Sequence, residues 1–280
     1  MTATDGEVQW LNYPASLCAR ERSVTPRSSV QPSFFDSARW YDRSINWSAR
    51  LAREVPVLRD VFGPPGERGL IDAGCGPGHQ AIALARAGYR VVGADASADM
   101  LDVARGDAEH GPPNVSFVQA SYDDLPGRLG SGFDGVYCLG NSLAAAASAD
   151  AVRTALQNFS ACLRIGGRLF IQVLNFPPMR AERPCIRGPR VSRVDGQEYI
   201  SVRVFHFAGA LAEITNVTLW HDDTWHQHAA TGPLYPVTSQ ELELWCQEAG
   251  LSVNDLWGSY AREPFEPEAA TDLLLTATRR

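Results

Sequence analysis

The chain has 280 residues, enough for one large domain with a sizeable core, and its 45% hydrophobic content is that of a globular protein. A net charge of -7 argues against nucleic acid as the main partner, and no apolar run approaches the roughly 20 residues needed to span a bilayer. Every basic residue is Arg, so lysine Schiff-base chemistry is excluded.

Residues 1–31 are rich in Ser, Thr, Arg and Pro without periodicity, and read as a flexible tail with no secretory signal. From Phe34 to Phe62 the residues Trp40, Trp47, Leu51, Val55, Leu58 and Phe62 recur at three-to-four spacing. That predicts helices across 32–66, with Pro56 starting or kinking the second part and Gly63-Pro64-Pro65-Gly66 ending it. Next, Leu70-Ile71-Asp72-Ala73 is an apolar run carrying an acid, followed by Gly74, Gly76 and Gly78 at alternate positions and a helix from Gln80 to Gly88. A strand, a tight glycine turn and a helix start belong where backbone approaches a ligand that a Cβ would block. A second strand, Arg90 to Ala94, ends at Asp95, an acid able to accept both hydroxyls of a ribose. Together these describe a nucleoside site at the C-terminal edge of a parallel sheet.

Strands are expected at 69–73, 90–94, 115–119, 133–138 and 167–174, with helices at 79–88, 97–109 and 148–163 and a reverse turn at Gly166-Gly167. This alternation predicts a parallel sheet with right-handed crossovers. Residues 176–196 read as a loop rich in Pro and Arg, and 198–207, 211–220 and 224–231 as an antiparallel insertion. Thr238 with Glu241 forms a capping box for a helix to Ala249, and strands near 252–259 and 272–278 complete seven. None of the six cysteines forms a C-x-x-C pair, so reduced buried thiols, no metal site and a cytoplasmic location are expected.

Three further clusters stand out. Leu139-Gly140-Asn141-Ser142 follows the fourth strand, at the edge where open α/β sheets bind ligands. Arg180, Arg183, Arg187, Arg190 and Arg193 make a basic cluster suited to a carboxylate or phosphate. His221, Asp222, Asp223, His226 and His228 form a titratable patch that reads either as a general base or as a hairpin end.

The acid and G-x-G-x-G of Asp72 to Gly78, with Asp95 on the following strand, resemble the class I S-adenosylmethionine-dependent methyltransferases. The nicotinamide fingerprint G-x-G-x-x-G places its third glycine one residue later. The Leu-Gly-Asn-Ser run resembles the glycine and sarcosine N-methyltransferases and their small-molecule relatives. The resemblance covers most of 34–280. It implies an α/β, Rossmann-like seven-stranded mostly parallel sheet with helices on both faces. The methyltransferase core would be 67–175 and 236–280, with an antiparallel β insertion at 176–235 acting as substrate cap and the 32–66 helices covering the cofactor.

S-adenosylmethionine, leaving as S-adenosylhomocysteine, is the implied cofactor. Its implied contacts in the first turn are Asp72, Ala73, Gly74, Cys75, Gly76, Gly78 and His79. Asp95, Ala96 and Met100 follow, then Ser121 and Tyr122 at the adenine, then Leu139 and Ser142. From the N-terminal helices Tyr41 and Trp47 would shield the cofactor, while Arg50, or alternatively Arg53, pairs with its carboxylate. Asn141, Asn175, Arg180 and Tyr235 would face the acceptor. Glycine-specific members carry a His where this chain has Ala145, so glycine itself is not the expected acceptor.

The implied reaction is in-line methyl transfer to a neutral amine, with Asn141 orienting it and Tyr41 available for its proton. O-methylation of a natural product or sugar, with His226 or His221 as base, is the alternative, and a non-catalytic cofactor-binding module is another. The partner is a small acceptor, bearing in some cases a carboxylate or phosphate; no membrane partner is expected, and the assembly is a monomer or small homo-oligomer.

Overall fold

The computed structural model describes residues 38–66, 69–181 and 185–280. The expected tail at 1–31, the start of the helical stripe at Phe34, Cys18 and Arg183 lie outside the described residues.

Seven strands form one sheet in the order β3-β2-β1-β4-β5-β11-β10. β1 (Leu70–Ala73), β2 (Val91–Asp95), β3 (Val115–Gln119), β4 (Phe133–Cys138) and β5 (Leu163–Leu174) run parallel. β11 (Asp272–Arg279) inserts antiparallel between β5 and β10 (Leu251–Trp257). All four residues of β1 are buried, as expected of a strand covered on both faces. Strand order reverses at β1, with β2 on one side and β4 on the other, so a crevice opens beyond its C-terminal end.

On one face α2 (Trp47–Phe62) and α3 (His79–Arg86) bury Leu58, Val61 and Leu84 against Tyr137 and Phe170. On the other, α6 (Ala149–Cys162) and α8 (Ser239–Glu248) bury Leu156, Phe159, Leu242 and Trp245. Side-chain oxygens start all of these helices but α3, whose N-cap is Gly78. Asn46 caps α2, Ser148 caps α6, and Thr238 with Glu241 makes the full capping box of α8. Ser97 likewise caps α4 (Ala98–Ala108), and α5 is the short Leu125–Leu129.

The helical stripe differs from expectation. The break falls at Ser44–Asn46, between α1 (Ala38–Arg43) and α2, and Pro56 sits inside an unbroken α2. The buried face of Glu54, Val57, Leu58 and Val61 outweighs the one backbone bond a proline removes. β5 also starts earlier than expected, at Leu163, and absorbs Gly166-Gly167 as a register shift against β4.

After β5 the segment expected to be a loop is instead α7 (Phe176–Ala181) and β6 (Cys185–Val194). β6 is the edge of a second, four-stranded antiparallel sheet with β7 (Gln197–Ala208), β8 (Leu211–His221) and β9 (Trp225–Leu234). Gly188-Pro189 disguised it. The register slips between Arg187 and Arg190, and an edge strand tolerates proline at such a slip. The sheet packs Phe205, Ile214 and Leu234 onto Phe176, Met179 and Ala144.

Among the described residues no helix is long and apolar enough to cross a membrane, and Cys75, Cys138, Cys162, Cys185 and Cys246 are free and buried.

Candidate active site

A cavity of about 330 Å³ opens at the C-terminal end of β1 and β4 and is roofed by the second sheet. The turn after β1 supplies its floor. At Gly74 a Cβ would stand 2.7 Å from the Tyr122 hydroxyl, and at Gly78 it would stand 2.7 Å from the Phe117 ring, so both glycines serve packing. Gly76 is different. It has φ +53, and the nearest atom to an added Cβ is Met100 Sδ at 4.0 Å, so its missing side chain faces open space.

The Gly76 N–H donates to Asp95 Oδ2 at 2.8 Å and the Ser97 N–H to Oδ1 at 2.9 Å. Each oxygen keeps lone-pair capacity toward the cavity. Burial pushes the Asp95 carboxyl up, and these amides hold it down. Asp72 is buried deeper. Burial, with Asp95 adding to it, pushes its carboxyl up to about 8, against the pull of the Tyr137 hydroxyl and Arg50. The Tyr137 hydroxyl faces Asp72 without closing a well-formed hydrogen bond, so that hydroxyl and Asp72 Oδ2 are left without one among the described residues. A buried carboxylate oxygen left unpaired is costly, and a donor arriving in the cavity relieves it.

A polar network walls the next side. Buried Glu54 accepts from Arg50 Nε at 2.8 Å, from Gln80 Nε2 at 3.0 Å and from Arg53 at 3.4 Å. Arg50 lies so close to Gly140 that a Cβ there would stand 2.6 Å from Nη2. Burial opposes its charge, but Tyr41 and Glu54 more than offset that and raise its pKa above the usual value. Gln172 Oε1 accepts from the Gly140 N–H at 2.7 Å and the Asn141 N–H at 3.3 Å, while its Nε2 donates to Asp272 at 2.7 Å. Asn141 adopts φ 67 and its Oδ1 accepts from the Leu174 N–H at 3.0 Å, which orients the side chain at the cavity wall.

α1 and the start of α2 close the site. Asp42 Oδ1 accepts from Trp47 Nε1 at 2.7 Å and meets His79 Nε2 at 2.7 Å, with the Trp47 and His79 rings 4.2 Å apart. Trp40 stacks on Trp220 of β8 at 4.3 Å, and Ser192 and Ser201 donate to the carbonyls of Arg43 and Ser44. This short helix is thus clamped between the core and the second sheet.

Of the expected cofactor residues, Tyr41, Trp47, Arg50, Asp72, Gly74, Cys75, Gly76, Asp95, Met100, Leu139 and Ser142 line the cavity, as does Asn141. Ala73, Gly78, His79, Ala96, Ser121 and Tyr122 do not. Tyr122, expected to stack on an adenine, bonds Ser142 Oγ at 2.7 Å and packs edge-on against Phe159. Ser121 Oγ is held by Asp124.

Three expected acceptor residues have structural partners. Asn175 donates to the carbonyls of Pro267 and Ala270, Arg180 donates to the carbonyl of Gly209 and covers Phe207, and Tyr235 donates to Glu241. His226 lies at the exposed β8–β9 hairpin end, paired with Asp222 at 2.8 Å, and among the described residues no histidine lines the cavity. The sequence reading missed Glu54, Gln80, Gln172, Asp272 and Arg203 as cavity residues.

Chemically, the cavity offers acceptors and cations without an activated nucleophile. Burial pushes the Cys75 thiol well up and the Cys138 thiol, behind it, to about 12, so neither is a thiolate at neutral pH.

Residues 70–167 match the family model described as a methyltransferase domain. The chain is 33% identical over 138 residues to a glycine/sarcosine N-methyltransferase of Parasynechococcus marenigrum, covering 49% of each chain. It therefore spans about half the length of that first curated relative. It is 30% identical over 217 residues to a cypemycin N-terminal methyltransferase of Streptomyces, covering 71% of this chain and 78% of that one. Among solved structures, an amino pentose methyltransferase of Micromonospora echinaspora, CalS10 with S-adenosylmethionine bound, superposes with a TM-score of 0.67. It is 24% identical, over 87% of this chain and 96% of that one.

Proposed function

Because the chain belongs to the class I S-adenosylmethionine-dependent methyltransferases, we propose that it methylates the nitrogen of a small-molecule amine by direct in-line displacement. The observation that carries the reading is the pairing of the orphaned Asp72 oxygen with the open shelf at Gly76, beside Asp95. This set fits S-adenosylmethionine. Asp95 presents two oxygens to the ribose hydroxyls, Asp72 takes an ammonium, and Arg50 takes a carboxylate. Tyr41 and Trp47 cover the site from α1 and α2.

The bound cofactor supplies a methyl group already activated on sulfonium. The protein therefore needs to position the acceptor and exclude water rather than furnish a nucleophile. Asn141 Oδ1, fixed by the Leu174 N–H, keeps a second lone pair for an acceptor N–H and so aims the nitrogen lone pair. Tyr41 stands at the cavity for the proton the amine sheds. The second sheet acts as the cap that keeps water out. Hydroxyl methylation with His226 as its base is disfavoured, because among the described residues no histidine lines the cavity.

The test is incubation with S-adenosylmethionine bearing a deuterated methyl group, a panel of small amines and polyols, and mass spectrometry. Label on an amine nitrogen supports the reading. Label confined to polyol oxygens would overturn it.

A further inference from the structure

The roof of the cavity holds a cation that the reading above leaves unused. Arg203, on β7, lines the cavity together with Arg190 of β6. Among the described residues Arg203 has no ion pair and no hydrogen bond from its guanidinium. Its register partner across β8 is Asn216, whose buried side-chain oxygen is also without a partner. On either side of this row the same sheet face is filled. Trp40 covers Trp220 and His228 at one end, and Phe205, Ile214 and Leu234 pack onto Phe176 and Met179 at the other. The Arg203–Asn216 row is the polar gap between them.

Burial lowers the Arg203 pKa; Tyr41 works against that, while Arg190 and Arg50 repel the charge further. Of the cavity's guanidiniums, Arg50 and Arg53 are answered by Glu54, while Arg190 and Arg203 form no ion pair among the described residues. A desolvated guanidinium held beside like charges is expensive unless an anion joins it. The carboxylate of the methyl donor is matched to Arg50 on the core side, so a second anion is needed under the cap. The sequence had placed acceptor recognition in a basic loop. In the structure Arg180 is spent on Gly209 and Arg193 on Glu198, and Arg190 alone of the described members reaches the cavity.

We propose that the acceptor carries an oxyanion, a carboxylate or a phosphate, gripped by Arg203 with Arg190 at its rim, so that its amine is presented toward Asn141. This rests on the methyltransferase reading and names its substrate class. A planar guanidinium holds such an oxyanion through two parallel N–H donors, which fixes the orientation of the rest of the molecule as well as its charge.

The test is calorimetric titration of acetate, and separately of inorganic phosphate, into the full chain saturated with S-adenosylhomocysteine at low ionic strength. One of the two should bind saturably at one site. Arg203→Gln should weaken it about tenfold or more and Arg203→Lys less, with S-adenosylhomocysteine affinity unchanged within about threefold. Arg190→Gln, at an exposed position that leaves the fold intact, should weaken it by a smaller factor. Preference for acetate identifies a carboxylate acceptor, and preference for phosphate a phosphorylated one. Binding of neither anion by the wild-type chain overturns the proposal. So does Arg203→Gln losing S-adenosylhomocysteine as steeply as the anion, because Arg203 would then serve the donor's carboxylate. Failure of the wild-type chain to bind S-adenosylhomocysteine at all would overturn the underlying reading instead.

Discussion

The core end of the cavity is written into one contiguous stretch, Asp72 to Gly78, with Asp95 at the end of the next parallel strand. The cap end is assembled from β6, β7 and β8, whose register brings Arg190, Arg203 and Ile214 together from distant positions. The first end is acidic and backbone-rich, and the second is cationic and made of side chains. The contrast teaches a division of labour. On the proposed reading, turn geometry shapes a donor site that any acceptor can share, and acceptor choice falls to a sheet whose inward row can vary without disturbing the turn. Substitutions at one end should therefore move one ligand and spare the other.

The largest effect should come from Asp95→Ala. Losing a charged acceptor for two hydroxyls should weaken S-adenosylhomocysteine by about 100-fold or more by calorimetry, at about 1.5–3 kcal/mol for each charge-assisted bond. Next come two glycines of the same turn. Gly76→Ala should weaken S-adenosylhomocysteine by about tenfold and cost only ~1 kcal/mol in denaturant unfolding, because its Cβ points into the ligand's space. Gly74→Ala should destabilise the fold by more than that, as its Cβ runs into Ser142 and Tyr122. Equal stability losses would erase the distinction between shelf and packing glycine. Asn141→Ala belongs to the acceptor side. It should lower kcat about tenfold and leave S-adenosylhomocysteine affinity within about threefold, and a large affinity loss would move Asn141 to the donor end.

A smaller effect follows from Asp72. With its carboxyl raised to about 8, the unliganded protein holds a proton there that the unfolded chain gives up in the ordinary carboxylate range. The unliganded fold thus loses stability as pH rises from that range toward about 8. A bound ammonium favours the ionised form, so S-adenosylhomocysteine affinity should rise over the same span with proton release. Calorimetry in buffers of different ionisation enthalpy reads that release, and Asp72→Asn should abolish it. The smallest effect should be that of replacing His221 and His226 together by Ala, which should leave amine methylation within about twofold, since neither lines the cavity.

What the sequence revealed follows the same contrast. The glycine turn, Asp95 and the alternation of strands and helices are local patterns, and they place the sheet and its active edge. Gln172 and Glu54 were legible in principle. One is a polar residue inside the apolar run Phe170-Ile171-Gln172-Val173, the other an acid on the buried stripe of α2, and a polar group in such a position has a partner to find. Arg203 carried no such signal. Alternation marks which residues of a strand share a face, but whether that face meets solvent, a core or a cavity depends on what packs beneath it. β6 was missed because Gly188-Pro189 looks like a loop until the strand is seen at an edge.

The central claim is that the turn at Asp72 to Gly78 and Asp95 form a methyl-donor site and not a dinucleotide site. Calorimetric titration of the wild-type chain with S-adenosylhomocysteine and, separately, with NAD tests it most directly. Saturable one-to-one binding of S-adenosylhomocysteine with no heat from NAD is the predicted result. Binding of NAD with none of S-adenosylhomocysteine would contradict it.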